Sequence, residues 1–344
     1  MGTPIRVLLV DDSVFLRQTL TKRLGADPDI VIVGDAVDGL DALSKIPVLK
    51  PHVVVLDIEM PRMDGLTALQ RIMAECPTPV VMLSAHTQRG ARITIQALMR
   101  GAVDFVPKPA AGIHIKNTIE ELTAKIKIAA STPTPSPSIF PLAGEAAPTK
   151  VKSRPFRPGD PVIVIGSSTG GPRALQQVLS GLPADLPAAM VVVQHMPPAF
   201  VRPLVQRLNE GASLVVQEAT FGKHLACGLA LVAPGDYHMQ FGATGRVVLD
   251  QGPRRNHVRP AVDVTMESAA EHFKSSVIGV VLTGMGTDGT QGAGRIKAAG
   301  GKVIAEHEST CVVYGMPRSV AEAGWADRIV PLPEVASTLM EWVG

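Results

Sequence analysis

Short, almost uninterrupted aliphatic runs recur along this chain, each followed by a helix-like stretch, on both sides of a proline-rich break. That alternation constrains the fold more than any other feature. IRVLLV (5–10), IVIVG (30–34), VVVLD (53–57), PVVML (79–83) and VDFV (103–106) precede the break. Runs that are apolar at consecutive rather than alternate positions are strands buried on both faces, as in a parallel sheet. Parallel neighbours need long crossovers, and helices supply them. Ile115, Ile119, Leu122 and Ile126 carry the helical spacing of the last such stretch. Five βα units predict a small doubly wound, flavodoxin-like α/β domain. Beyond the break, PVIVIG (161–166), AMVVVQ (189–194), SVIGVVLTG (276–284) and KVIA (302–305) predict a second doubly wound α/β domain. There GLALVAPG (228–235) and GRVVLD (245–250) flank DYHMQFGAT, and an inserted antiparallel β-hairpin is expected.

The break itself reads STPTPSPSIFPLAGEAAPTKVKSRPFRPGDP over 131–161. Proline removes backbone donors, and Ser, Thr and Ala offer little to bury, so an extended, semi-rigid linker is expected. The domains then fall at 1–128 and 159–344, with the linker at 129–158. The chain is 46% hydrophobic and only 3% aromatic, so its cores are aliphatic. With 33 basic and 31 acidic residues, no strong field exists to hold nucleic acid or anionic lipid. No apolar run nears the roughly 20 residues of a membrane span, so no membrane insertion is expected. The start, MGTPIRVLLVDDS, reads as no signal peptide. Cys76, Cys227 and Cys311 are scattered without CxxC spacing, which suggests neither zinc nor a disulfide framework. A soluble, cytoplasmic protein is expected.

Strand C-termini in a doubly wound sheet converge on one crevice. Asp11 and Asp12 end the first strand of the first domain and Asp57 ends the third. Three carboxylates there repel one another unless a cation joins them, and such oxygen ligands suit Mg²⁺. Ser84 ends the fourth strand and Lys108 follows the fifth, so a hydroxyl and an ammonium face the same crevice. Together they can hold the new oxygens of a phosphorylated Asp57. This arrangement resembles the response-regulator receiver domain over residues 5–127, and IEMPRMDG (58–65) matches the loop after its acceptor. The resemblance implies that Asp57 accepts phosphate, that Asp11 and Asp12 join it in holding Mg²⁺, and that Lys108 contacts the phosphoryl group. Ser84 and Phe105 stand at its switch positions, with phenylalanine where tyrosine is common.

In the second domain, strand VIVIG runs into GSSTGGPRALQQVL, placing Gly166, Ser168 and Gly170 as G-x-S-x-G between strand and helix. Small residues permit a sharp turn that holds out the central serine, and the helix N-terminus favours developing negative charge. A dinucleotide-phosphate turn is the rival, but G-x-G-x-x-G is absent and no acid ends the AMVVVQ strand. Serine needs a base at neutral pH. His195 ends the next strand, in VVVQHMPP, while His238 and His257 are further candidates. The base needs an orienting acid, for which Asp288 in GMGTDG competes with Asp263 and Asp236. The chain order Ser168…His195…Asp288 is not that of α/β-hydrolases, so a convergent triad on another fold is implied.

IGSSTGG (165–171), QHMPPAF (194–200), APGDYHM (233–239), RPAVDV (259–264), LTGMGTDG (282–289) and CVVYGMPR (311–318) extend the resemblance to the whole chain. It is similar to the chemotaxis response regulator protein-glutamate methylesterases, the CheB family. That resemblance implies Ser168 as nucleophile, His195 as general base, Asp288 as its orienter and the Met285 amide as an oxyanion contact. Ser167 stands where the family usually has alanine. The implied activity is phosphorylation-controlled hydrolysis of chemoreceptor glutamate methyl esters, with deamidation of receptor glutamines. Its partners are then chemoreceptors and a chemotaxis histidine kinase, with Mg²⁺ confined to the receiver and no cofactor in the esterase site. Three rivals are weighed against it. A receiver-coupled transcription factor needs a short basic helix-turn-helix output, which roughly 180 strand-rich, near-neutral residues do not resemble. A nicotinamide or flavin enzyme would show bound cofactor absorbance. A phospho-gated binding module without turnover differs only in a turnover assay.

Overall fold

A computed structural model of the chain describes residues 3–85, 87–108, 115–132, 150, 153–242 and 245–344. The chain divides into two compact units, 1–140 and 141–344. In the first, β1 (Ile5–Val10), α1 (Val14–Leu24), β2 (Ile30–Ala36), α2 (Gly39–Leu49), β3 (Val53–Asp57), α3 (Gly65–Glu75), β4 (Val80–Ser84), α4 (Gln88–Met99), β5 (Asp104–Pro107) and α5 (Ile115–Ser131) alternate without exception. The sheet is parallel, in the order β2-β1-β3-β4-β5. Every residue of β3 and β4 is buried, the outcome that consecutive apolar residues demand. Four helices start on a side-chain cap: Ser13, Asp38, Asp64 and Thr87 each accept a first-turn N–H. Gly65, in the MDG turn, has to be glycine. A Cβ there would stand 1.9 Å from the Asp57 carbonyl oxygen, so the loop after β3 closes tightly over the carboxylate-bearing strand end.

The second unit opens with β6 (Arg154–Pro155), β7 (Val162–Ser167), α6 (Gly171–Ser180), β8 (Ala189–Gln194), α7 (Pro198–Gly211), β9 (Val215–Glu218), β10 (Ala226–Cys227) and β11 (Leu229–Val232). It continues through β12 (His238–Phe241), β13 (Val247–Asp250), α8 (Val262–Phe273), β14 (Val277–Val281), α9 (Thr290–Ala298), β15 (Lys302–Glu306), α10 (Met316–Glu322), β16 (Arg328–Val330) and α11 (Leu332–Val343). Seven strands form one parallel sheet in the order β16-β15-β14-β7-β8-β11-β9. From β7 the chain winds first toward β9 and later, from β14, toward β16. The switch point, where two crossovers part and leave a crevice, therefore lies between β7 and β14. No helix among the described residues is long and apolar enough to cross a membrane.

One strand assignment changes. LALV does not open the hairpin: β11 is a parallel member of the main sheet, paired with β8 and β9 and buried at all four residues. Its unbroken apolarity is the signature of an interior parallel strand. The hairpin is β12 with β13, closing at Phe241 against Val247. Two edge strands, β9 and β16, carry too few consecutive apolar residues to stand out in the sequence. Around the expected linker, α5 runs on to Ser131 and β6 pairs antiparallel with β10. Residues 133–149, 151 and 152 of the linker and 243–244 of the hairpin turn lie outside the described residues.

Candidate active site and the carboxylate cluster

The first unit gathers Asp11, Asp12 and Asp57 so that one oxygen from each lies within 4.8 Å of the others. Asp11 and Asp57 are buried at the ends of the two central strands, whereas Asp12 is exposed. Lys108 follows β5 and is fixed by its own N–H donating to the Ser84 carbonyl at 2.7 Å. Its Nζ lies 2.8 Å from Asp11 Oδ2 and 2.7 Å from Asp57 Oδ2. Those distances pair the one ammonium with both buried carboxylates. Burial pushes the Asp57 carboxyl up to about 6; Lys108 pulls it down and the Asp11 charge raises it further. Three carboxylates crowded together, two of them buried, are the donor set a hard divalent cation takes. Ser84 is fully buried, its hydroxyl 2.7 Å from that of Thr94 on α4. Phe105 is buried with its carbonyl accepting from Lys125 Nζ at 2.6 Å.

In the second unit the strand-end residues converge at the switch point. Ser168 follows β7, His195 follows β8, and Asp288 lies in the loop after β14. The His195 N–H donates to the Ser167 carbonyl at 3.0 Å. Gln194 Nε2 donates to the carbonyls of both Ser168 (2.9 Å) and His195 (3.1 Å), tying the two turns together. The two adjacent serines differ sharply. Ser167, still in the strand, is fully buried, and its hydroxyl donates to Gln194 Oε1 at 2.7 Å. Ser168, one residue beyond, is partly exposed. Gly284 packs on it so closely that a Cβ there would lie 2.8 Å from the Ser168 Cβ.

His195 Nε2 lies 2.7 Å from Asp288 Oδ2. Asp288 is buried and accepts four more hydrogen bonds. The Val262 N–H reaches Oδ2 at 2.6 Å; Oδ1 takes the N–H groups of Asp263 (3.0 Å) and Gly289 (3.1 Å) and Asn256 Nδ2 (3.0 Å). Burial alone would raise this carboxyl, but the hydrogen bond and charge of His195, with the backbone donors, hold it below the usual carboxylate range. An ionised Asp288 is an acceptor, so Nε2 is the nitrogen that carries a proton toward it, and in a neutral ring the lone pair is then on Nδ1.

The rival residues are committed elsewhere. Asp263 accepts from the N–H groups of Gly289 (2.9 Å) and Gly292 (2.8 Å), and Asn256 Nδ2 bridges it to Asp288. Burial, with the Asp288 charge adding to it, pushes the Asp263 carboxyl up. Asp236 pairs with Arg259 at 2.8 Å. The His238 ring is buried between the Pro253 carbonyl and the Ala261 N–H, and His257 is exposed. Met285 is 54% exposed beside Gly284, and its N–H has no protein acceptor among the described residues. Gln194, Asn256, Thr283 and Glu306 were not picked out from the sequence. Gln194, inside QHMPPAF, stands next to His195, Asn256 stands next to His257, and Thr283 lies within LTGMGTDG.

The fold and these sites define a response regulator whose output unit is a parallel α/β domain with serine, histidine and aspartate at its switch point. Residues 7–120 match the response regulator receiver domain family and residues 163–339 match the CheB methylesterase family. The chain belongs to the CheB methylesterase family. It is 50% identical to a Symbiobacterium thermophilum protein-glutamate methylesterase/protein-glutamine glutaminase, covering 99% of this chain and 98% of that one. A Thermotoga maritima protein of the same name is 46% identical, with 98% of each chain covered. The crystal structure of the Thermotoga maritima CheB methylesterase catalytic domain matches with a TM-score of 0.53 and 49% identity, covering 54% of this chain and 99% of that one.

Proposed function

We propose that this chain hydrolyses glutamate γ-methyl esters on chemoreceptors and deamidates receptor glutamines, under control of phosphorylation at Asp57. The observation that carries this reading is the 2.7 Å contact of His195 Nε2 with a buried, ionised Asp288, on the strand end next to Ser168. His195 Nδ1 takes the proton of Ser168 Oγ as that oxygen attacks the γ-carbonyl carbon. The carbonyl π electrons move to oxygen, and the oxyanion is met by the Met285 N–H. The imidazolium returns its proton to the methoxy oxygen as the C–O bond breaks, and methanol leaves. Water then repeats the attack on the acyl-enzyme and frees the glutamate and Ser168. With a glutamine substrate, ammonia leaves in place of methanol. Asp288 stabilises the imidazolium in both halves.

The receiver supplies control. Asp57 is the acceptor, Lys108 pairs with the incoming phosphoryl oxygens, and Ser84 and Phe105 respond to them. Asp11, Asp12 and Asp57 would hold Mg²⁺, which neutralises charge between the phosphodonor and the acceptor. A chemotaxis histidine kinase is the donor and the methylated helices of chemoreceptors are the substrates. The site of action is the cytoplasm, in keeping with three free cysteines. Methanol release from methylated receptor, measured with and without a small phosphodonor, tests the reading. Release that rises with phosphodonor is expected; a chain that binds receptor but releases no methanol is a binding module instead.

A further inference from the structure

A carboxyl group buried without a charged partner costs free energy, so its hydrogen bonds show what it holds in place. Glu306, the last residue of β15, is fully buried. The ladder between β14 and β15 ends at Val281 with Ala305, two residues before Thr283. Where that ladder stops, the Glu306 side chain reaches across: Oε2 accepts the Thr283 N–H at 2.8 Å, and Oε1 accepts the Thr310 hydroxyl at 3.0 Å. Thr283 in turn holds the serine turn with its carbonyl and its hydroxyl. Its carbonyl accepts the Ser168 N–H at 3.0 Å, and its hydroxyl donates to the Thr169 carbonyl at 3.0 Å. The same hydroxyl accepts the Val313 N–H at 2.9 Å. Gly284 is pinned next, its N–H on the Val313 carbonyl (3.0 Å) and its own carbonyl on the Met316 N–H (2.8 Å). Met285 follows directly. One residue, Thr283, thus sets both the backbone of the serine turn and the strand end that presents the Met285 amide, and Glu306 anchors it from behind.

We propose that Glu306 is a positioning residue for acyl transfer, acting through Thr283 to fix the Ser168 turn and the Met285 N–H relative to each other. It touches no reacting atom. This rests on the reading of Ser168 as nucleophile and of the Met285 amide as oxyanion donor. Misplacing such a donor by about 1 Å costs on the order of 100-fold in rate. The expected loss therefore falls on turnover per site rather than on substrate affinity.

The test uses the full-length chain with Glu306→Ala, Glu306→Gln, Thr283→Val, Thr283→Ser and Ser168→Ala. Active sites are counted by labelling to completion with a fluorophosphonate. Methanol release then gives kcat per labelled site and KM, and inhibition by an alkyl boronic acid reports affinity for a tetrahedral adduct. Glu306→Ala and Thr283→Val are expected to lose about 10- to 100-fold in kcat per labelled site, with KM within about threefold and boronate affinity falling in step. Glu306→Gln and Thr283→Ser, which keep the acceptor and the hydroxyl, are expected within about threefold of the parent. A purely structural role predicts fewer labelled sites, each turning over at the parental kcat, and that result overturns the proposal. So does Glu306→Gln as slow as Glu306→Ala. Should Glu306→Ala not fold, Thr283→Val decides, and a parental kcat there refutes it. Ser168→Ala separates the two levels: turnover persisting in that variant means that the assignment of the nucleophile is wrong and takes this inference with it.

Discussion

Asp288→Asn is the sharpest probe of the proposed triad, because the environment of its two oxygens dictates how the amide must sit. Oδ1 faces three donors, the N–H groups of Asp263 and Gly289 and the Asn256 amide; Oδ2 faces two, Val262 N–H and His195 Nε2. An asparagine carbonyl will take the three-donor side, since a buried donor set against donors costs about 1–3 kcal/mol for each bond left unmade. Its NH₂ group then points at His195 Nε2, which must become the acceptor. The ring proton moves to Nδ1, the atom proposed to take the Ser168 proton, and the base is lost. A wrong-tautomer imidazole lowers kcat by about 10⁴ in a serine protease triad, or about 5 kcal/mol of barrier. The same order is expected here, with a smaller change in KM. Steady-state methanol release from methylated receptor measures the rate, and ¹⁵N shifts of the His195 ring report the tautomer. An Asp288→Asn chain within tenfold of the parent would refute the reasoning and return the orienting role to Asp263 or Asp236.

Ser168→Ala is expected to abolish turnover and labelling while leaving thermal stability near the parent. Ser167→Ala should keep turnover but lose about 1 kcal/mol of stability, because Gln194 Oε1 loses its buried donor; the reverse pattern moves the nucleophile one residue back. Asp57→Asn should take up no phosphate from a phosphodonor and should lose the donor's effect on methanol release while keeping basal turnover. Persistent labelling of that variant removes the acceptor assignment. Glu306→Gln should gain stability relative to the parent as pH rises. Burial pushes the Glu306 carboxyl above its ordinary range, so the folded chain binds that proton more tightly than the unfolded one. The parent's stability is then whole below the unfolded value of about 4.3 and is lost as pH climbs through the higher folded value, while glutamine does not titrate. The Tm difference between the two should widen from pH 4 to pH 7, and a constant difference contradicts the burial account.

Much of this protein was legible in its residues because parallel sheets write themselves locally. Consecutive apolar residues mark each interior strand, the polar residue after each run marks the strand end, and in a doubly wound sheet strand ends share a crevice. Asp11, Asp57, Ser84, Lys108, Ser168 and His195 all stand at or just beyond strand ends that this pattern marks. The same rule, followed strictly, would have put LALV in the main sheet, where β11 lies. What tertiary structure alone decided were choices between near-equivalent residues. Ser167 and Ser168 are neighbours in a stretch of small residues. The sheet ends between them, so the Ser167 hydroxyl turns into the core toward Gln194 while Ser168 is partly exposed. His195 and Asp288 are 93 residues apart with Asp263 and Asp236 as rivals in the sequence, and in the fold it is the Asp288 carboxylate that reaches the ring. Asn256 and Glu306 left no local signal at all. A side chain that closes a gap between two elements is specified by the distance across that gap, and that distance exists only once the sheet has formed.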